Sequence, residues 1–328
     1  MPLSVRTKRT LLAGFAFAAY VVWALGAWDA ILIRSGIRPK LRPVLLLAGD
    51  SLTEKGTNPK SMGWVTQLQH DYARSADIVP RGLSGYNTRW YLEYSMPIIE
   101  SEIANGIYTP AFITVWLGAN DAALPEGSSS EQHVPIETYK ENLKKIVHAF
   151  RTMAPDARIL LITPPHVDDA TRQRRAKRYE GAKRGLVDRT NAVAGEYAAA
   201  CVETANSLGV SVLDLHTYFN DMPEWRRRNL LEDGLHLNTR GNKLMYEQLQ
   251  DKIHSEFPDV ERKLRLWQAP SFTTLIDSDP WTIDTPPETS APVNNTAASN
   301  TSVNDVDTAV VTAVSLAKAS RNLRSTIS

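Results

Sequence analysis

The chain has 328 residues, enough for one α/β domain with extensions or for two small domains. Its formal charge is +1, with 22% charged and 43% hydrophobic residues, a balance that argues against a polyanion binder with a wholly basic surface, so nucleic acid is not an expected partner. A single cysteine, Cys201, excludes an intrachain disulfide framework; set among Ala198, Ala199, Ala200, Val202 and Ala205, it reads as a small buried apolar residue on a helix.

Residues 1–10 form a basic segment with Arg6, Lys8 and Arg9. Residues 11–28 carry no charge and the apolar run resumes after Asp29, so 11–33 reads as a hydrophobic anchor or signal segment near bilayer length. An uncleaved single-pass N-terminal anchor is the leading expectation, giving membrane association through residues 11–33. Cleavage near Ala24-Leu25-Gly26, which would leave a secreted or lumenal protein, and a mitochondrial presequence are the alternatives. The basic linker 34–43, with Arg34, Arg38, Lys40 and Arg42, offsets the upstream cluster and leaves sidedness open.

The core is expected over 44–267. Short runs rich in Val, Ile and Leu at 44–48, 78–79, 112–117, 158–162 and 210–213 predict strands covered on both faces. Helical patterns lie between them at 64–75, 90–105, 136–152 and 186–208, with a last one at 239–256. This alternation predicts a mostly parallel, doubly wound α/β sheet, with active residues just past the carboxyl ends of strands. The basic run 171–184 reads as a solvated loop or helix face, with contact to an anionic lipid surface as the sharper alternative. From 268 to 328 the composition turns to Thr, Ser, Pro, Asn and Asp, which predicts a disordered tail. The sequons at Asn294 and Asn300 carry little weight in so Asn-, Ser- and Thr-rich a stretch.

Gly49-Asp50-Ser51-Leu52 follows the first strand, where a sheet exposes a hydroxyl at a strand-to-helix turn. A GDS tripeptide arises by chance in roughly one chain in ten of this length, so alone it decides nothing. A serine hydroxyl needs an imidazole base, and the imidazole needs an acceptor to fix its tautomer. Asp233-Gly234-Leu235-His236 offers both, so Asp233 can hold the Nδ1 proton while Nε2 faces Ser51. A developing oxyanion needs fixed donors; the Ser51 N–H, the Gly85 N–H in Arg81–Thr88 and the Asn120 amide in Gly118-Ala119-Asn120-Asp121 can supply three. Asp50 and Asp121 are expected to bond backbone or neighbouring turns. With no H-E-x-x-H, P-loop or C-x-x-C signature, a zinc protease or a nucleotide enzyme has no foothold.

These four segments resemble the hallmark blocks of the SGNH (GDSL) hydrolase family, and Ser51, Gly85, Asn120 and His236 with Asp233 match them one by one. The strings RGLSGYNTRW (81–90), WLGANDA (116–122), LITPPHVDD (161–169), RTNAVAGEYA (189–198) and DGLHLN (233–238) are similar to its isoamyl acetate-hydrolysing esterase branch. The resemblance spans about 44–267. It implies a three-layer α/β/α sandwich of flavodoxin-like type, no metal or other cofactor, and a small ester substrate, often an acetate. On this reading the chain is a serine esterase with Ser51, Asp233 and His236 as catalytic residues and Ser51, Gly85 and Asn120 as the oxyanion hole. A lipid-directed hydrolase (lysophospholipase or acyl thioesterase) and an inactive membrane-tethered binding protein are the competing expectations. The oligomeric state stays open.

Overall fold

The computed structural model describes residues 42–269 and 271–276. The expected segments 1–10 and 11–33, most of the linker 34–43 and most of the tail therefore lie outside the described residues. No helix among the described residues is long and apolar enough to cross a membrane. The chain divides after Ala269 into two units, and the described part of the second carries one short helix, Phe272–Ile276.

Five strands form one parallel sheet: β1 (Val44–Gly49), β2 (Asp77–Gly82), β3 (Pro110–Trp116), β4 (Arg158–Ile162) and β5 (Ser211–Leu213). Their order is β2-β1-β3-β4-β5, so β1 lies inside the sheet and the chain reverses direction around it. Such a reversal opens a crevice at the carboxyl ends of the strands. β2 runs through Pro80, beyond the two-residue strand expected. It lies at the sheet edge, where a residue without an N–H breaks no ladder.

Alternate strand residues feed two cores because side chains in a strand point to opposite faces. Leu45, Leu47, Phe112, Trp116, Leu160 and Ile162 pack on one face with Trp64 and Leu68 of α2 (Trp64–Asp71) and Met245, Leu249 and Ile253 of α9 (Thr239–Glu256). Leu46, Ala48, Ile113, Val115 and Leu161 pack on the other with Leu143, Ile146 and Phe150 of α4 (Ile136–Met153) and Tyr197 and Cys201 of α6 (Asn191–Leu208). The result is the expected three layers. Cys201 is buried, and burial pushes its thiol up to about 12, well out of the reactive range.

The remaining helices are α1 (Ser51–Glu54), α3 (Met96–Ala104), α5 (Asp169–Ala176), α7 (Leu215–Asn220), α8 (Glu224–Arg228) and α10 (Pro258–Arg265). The chain enters α3 through a turn at Thr88–Trp90 and a π turn at Tyr91–Ser95. Two departures from the sequence reading matter for the site. The helix expected over 186–208 begins at Asn191, because the Thr190 hydroxyl caps it by accepting from the Val193 N–H, and 186–190 run free of it. The basic run 171–184 is neither wholly loop nor wholly solvated: it opens in α5, and its Arg172 is buried.

Candidate active site

Ser51 opens α1, separated from the end of β1 by Asp50 alone. The turn between them is fixed from both sides: the Asp50 N–H donates to the Trp116 carbonyl at 3.3 Å, and the Leu52 N–H donates to Asp50 Oδ1 at 2.9 Å. Asp50 thus bonds backbone, as expected from its place beside the serine. Ser51 is buried yet its hydroxyl meets an imidazole. The Ser51 Oγ to His236 Nε2 distance is 2.9 Å and His236 Nδ1 lies 3.0 Å from Asp233 Oδ2. A carboxylate can only accept, so Nδ1 carries the proton and Nε2 is left to accept from the serine hydroxyl.

Asp233 is held as firmly as the histidine it orients. Its Oδ1 accepts from the Leu235 and His236 N–H groups at 3.1 and 3.0 Å, closing a turn that brings carboxylate and imidazole to one side. Gly234 sits at φ +86°, a conformation that side chains rarely adopt, and a Cβ there would lie 3.0 Å from Thr171 Cβ and 3.1 Å from the Asp168 carbonyl oxygen. Burial raises the pKa of Asp233. The hydrogen bonds and charge of His236, with Arg172 behind them, more than reverse this and hold the carboxyl well below the usual range.

The donor side of the site comes from the loops after β2 and β3. Gly85 lies in a turn at φ +82°, closed by the Tyr86 N–H donating to the Leu83 carbonyl, and the Ser84 N–H donates to Glu54 Oε2 at 2.6 Å. The Gly85 and Ser51 N–H groups donate to no group among the described residues, which leaves them for a ligand. Asn120 is buried; its Nδ2 donates to the Tyr86 carbonyl at 2.8 Å, and its second amide hydrogen is uncommitted. Asp121 takes no part in this: its carboxylate accepts from the Thr88 N–H at 3.0 Å and tethers the start of the helical segment before α3.

The structure therefore brings Ser51, Asp233 and His236 into one hydrogen-bonded line and Gly85 and Asn120 to the same edge of the sheet. Four further residues, which the sequence reading assigned no role in the site, lie directly behind them. Arg189, just before α6, donates from Nη2 to Asn120 Oδ1 at 2.7 Å and from Nε to the Ala119 carbonyl at 2.6 Å. Asp188 accepts from Arg189 Nη1 at 2.5 Å and from Arg172 Nε at 2.9 Å. Arg172 Nη1 reaches the Asp233 carbonyl at 3.2 Å, and Gln132 bonds Arg189 with Oε1 and the Gly85 carbonyl with Nε2. RTNAVAGEYA contained Arg189, but only as part of a resemblance; the signal missed was an Asp-Arg pair standing just before an apolar helix.

A buried serine in line with a half-buried imidazole and carboxylate, beside unpaired N–H donors at the mouth of an α/β/α sheet, is the equipment of a hydrolase that acts on acyl groups. The chain belongs to the GDSL-like lipase/acylhydrolase family, whose model matches residues 47–244, and is by that membership a carboxylic ester hydrolase. It is similar to a GDSL esterase/lipase of Arabidopsis thaliana, 42% identical over 66% of this chain and 88% of that one. It is also similar to the isoamyl acetate-hydrolyzing esterase 1 homolog of Homo sapiens, 34% identical over 73% of this chain and 94% of that one. Among solved structures, a lipase/acylhydrolase from Enterococcus faecalis is similar over 70% of this chain and 100% of its own, at 20% identity and a TM-score of 0.49.

Proposed function

We propose that the chain is a serine esterase that hydrolyses small carboxylic esters, acetates among them, through an acyl-enzyme. The observation that carries this reading is the line from Ser51 through His236 to Asp233, at 2.9 and 3.0 Å. Ser51 Oγ attacks the ester carbonyl carbon while His236 Nε2 takes its proton, and Asp233 stabilises the imidazolium that results. The tetrahedral oxygen is met by the Ser51 and Gly85 N–H groups and the Asn120 amide. Collapse breaks the bond to the alcohol oxygen, and His236 returns the proton to it. Water, deprotonated by the same imidazole, then attacks the acyl carbon and frees the carboxylic acid and the serine. The preference for small acyl groups is supported by the likeness to a relative named for isoamyl acetate.

Ser51→Ala tests the reading. Turnover of p-nitrophenyl acetate and labelling by a fluorophosphonate are expected to vanish while the unfolding midpoint stays within about 1 kcal/mol of the parent. Undiminished turnover would sink the assignment. A chain-length series of p-nitrophenyl esters tests the substrate class: activity falling beyond short acyl chains is expected, and a steep rise toward long chains would replace this reading with a lipid-directed hydrolase.

A further inference from the structure

Two buried guanidiniums and one buried carboxylate stand between the two halves of the site. Asp188, Arg189 and Arg172 are each about 4% exposed, and the hydroxyl of Ser51 bonds His236 and none of them. Charged groups are rarely placed so deep without partners that satisfy them, and here every partner belongs to the reacting apparatus or supports it. Arg189 spends its donors on Asn120 Oδ1, the Ala119 carbonyl, Gln132 and Asp188. Arg172 spends its own on Asp188 and on the carbonyl of Asp233, with Nη1 also 3.4 Å from Asp233 Oδ2.

The bond from Arg189 to Asn120 Oδ1 has a specific effect. An amide can rotate to exchange its oxygen and nitrogen, and only one of the two orientations offers a donor to an oxyanion. A guanidinium can donate but never accept, so Arg189 admits only the orientation in which Oδ1 faces it and the NH₂ faces away. The Tyr86 carbonyl, an acceptor on the other side, enforces the same orientation. Gln132 extends the control to the other donor, since its Nε2 bonds the Gly85 carbonyl at 3.3 Å while its Oε1 bonds Arg189. On the opposite side Arg172 secures the Asp233 backbone, and Asp188 is the counter-ion that both arginines share.

We infer that Arg189, anchored by Asp188, is a positioning residue for the Asn120 donor, and that Asp188 joins the oxyanion donors to the Asp233 turn through Arg172. This rests on the esterase reading above. Because the donor it aims is used when charge develops on the substrate oxygen, its loss falls on kcat and leaves KM nearly unchanged. Arg189→Lys keeps the charge but loses the planar fork that holds the amide.

The test is a double-mutant cycle on the full chain with p-nitrophenyl acetate. Asn120→Ala alone is expected to lower kcat about 10²- to 10³-fold, the loss typical of one oxyanion donor. Arg189→Lys alone is expected to lower it about 10- to 100-fold, the order of effect of a misplaced group, with KM within about twofold. In the Asn120→Ala background the Arg189→Lys loss should fall below about threefold, because the group it aims is gone. Should Arg189→Lys not fold, Gln132→Ala, at a half-buried position, removes one partner of the same guanidinium; its smaller loss of kcat should shrink in the Asn120→Ala background without vanishing, because Gln132 also holds the Gly85 carbonyl. Losses that multiply in the double variants, or that appear in KM instead of kcat, would overturn the proposal while leaving the Ser51 assignment intact. Absence of ester turnover in the parent chain would instead remove the esterase reading, and this proposal with it.

Discussion

At the residue scale the most consequential neighbour of Ser51 is Asp50. It is fully buried, its Oδ1 caps the serine turn, and its Oδ2 makes no hydrogen bond in the structure. Burial, together with the charge of Asp121 and against the pull of the Leu52 N–H, raises its pKa to about 7. Asp121 is likewise raised by burial, against its bonds to Thr88, to about 6. An unfolded aspartate titrates near 3.9, so at intermediate pH the folded protein holds a proton at Asp50 that the unfolded chain has released. The stability contributed by this group is therefore greatest below about pH 4 and is lost as pH rises toward about 7. Asp50→Asn retains an acceptor for the Leu52 N–H and removes the charge. It is expected to match the parent near pH 4 and exceed it by about 2–4 kcal/mol at pH 8, as read from denaturant midpoints at the two pH values. A variant no more stable than the parent at pH 8 would refute the account.

At the element scale, the proposed chemistry rests on short turns more than on the helices themselves. The Asp233–His236 turn is only four residues long, yet it requires a left-handed residue at Gly234 and packs against α5 through the Asp168 N–H, which donates to the Gly234 carbonyl at 2.8 Å. Gly234→Ala is expected to cost about 1–2 kcal/mol from the backbone conformation alone. The contacts at 3.0 and 3.1 Å also push the turn away from α5, so kcat should fall about tenfold or more through displaced Asp233 and His236. Steady-state kinetics beside a thermal melt would check this; a variant that melts earlier but keeps its kcat would show that the turn's position is not set by Gly234. This scale also marks where sequence reasoning stopped. Gly49–Leu52 and Asp233–His236 were legible because a nucleophile, a base and an acid are chemically distinctive and lay beside strand and helix boundaries. Arg172, Asp188 and Arg189 were not, because a basic run and a residue before a helix look solvated until burial is known. A periodic pattern cannot say that Thr190 caps the helix and sends Asp188 and Arg189 inward.

At the scale of the whole molecule, two cores flank one sheet, and both were foreshadowed by continuous apolar strands such as VLLLA at 44–48. Strand order was not, since nothing local in a run of Leu and Val states its neighbours. Leu249 and Ile146 are fully buried on opposite faces of the sheet. Leu249→Ala and Ile146→Ala should each cost about 2–5 kcal/mol, and the double variant should lose the sum within about 0.5 kcal/mol because the sheet separates the sites. Urea melts of the three variants would measure it; a double variant losing much less than the sum would mean that the two layers share one deformable core.

The proposed nucleophile, Ser51, follows the first strand of the sheet, and its proposed base, His236, lies in a loop beyond the fifth, 185 residues later in the chain. On the proposed mechanism, a nascent chain that has already folded β1 through β5 still carries an inert serine, and hydrolytic power arrives only when the segment after α8 docks. A truncation ahead of Asp233 would thus be expected to silence the serine without touching it. Regain of ester turnover after dilution from urea should accordingly lag behind the return of secondary structure, because long-range closure is the slow part of assembling such a topology.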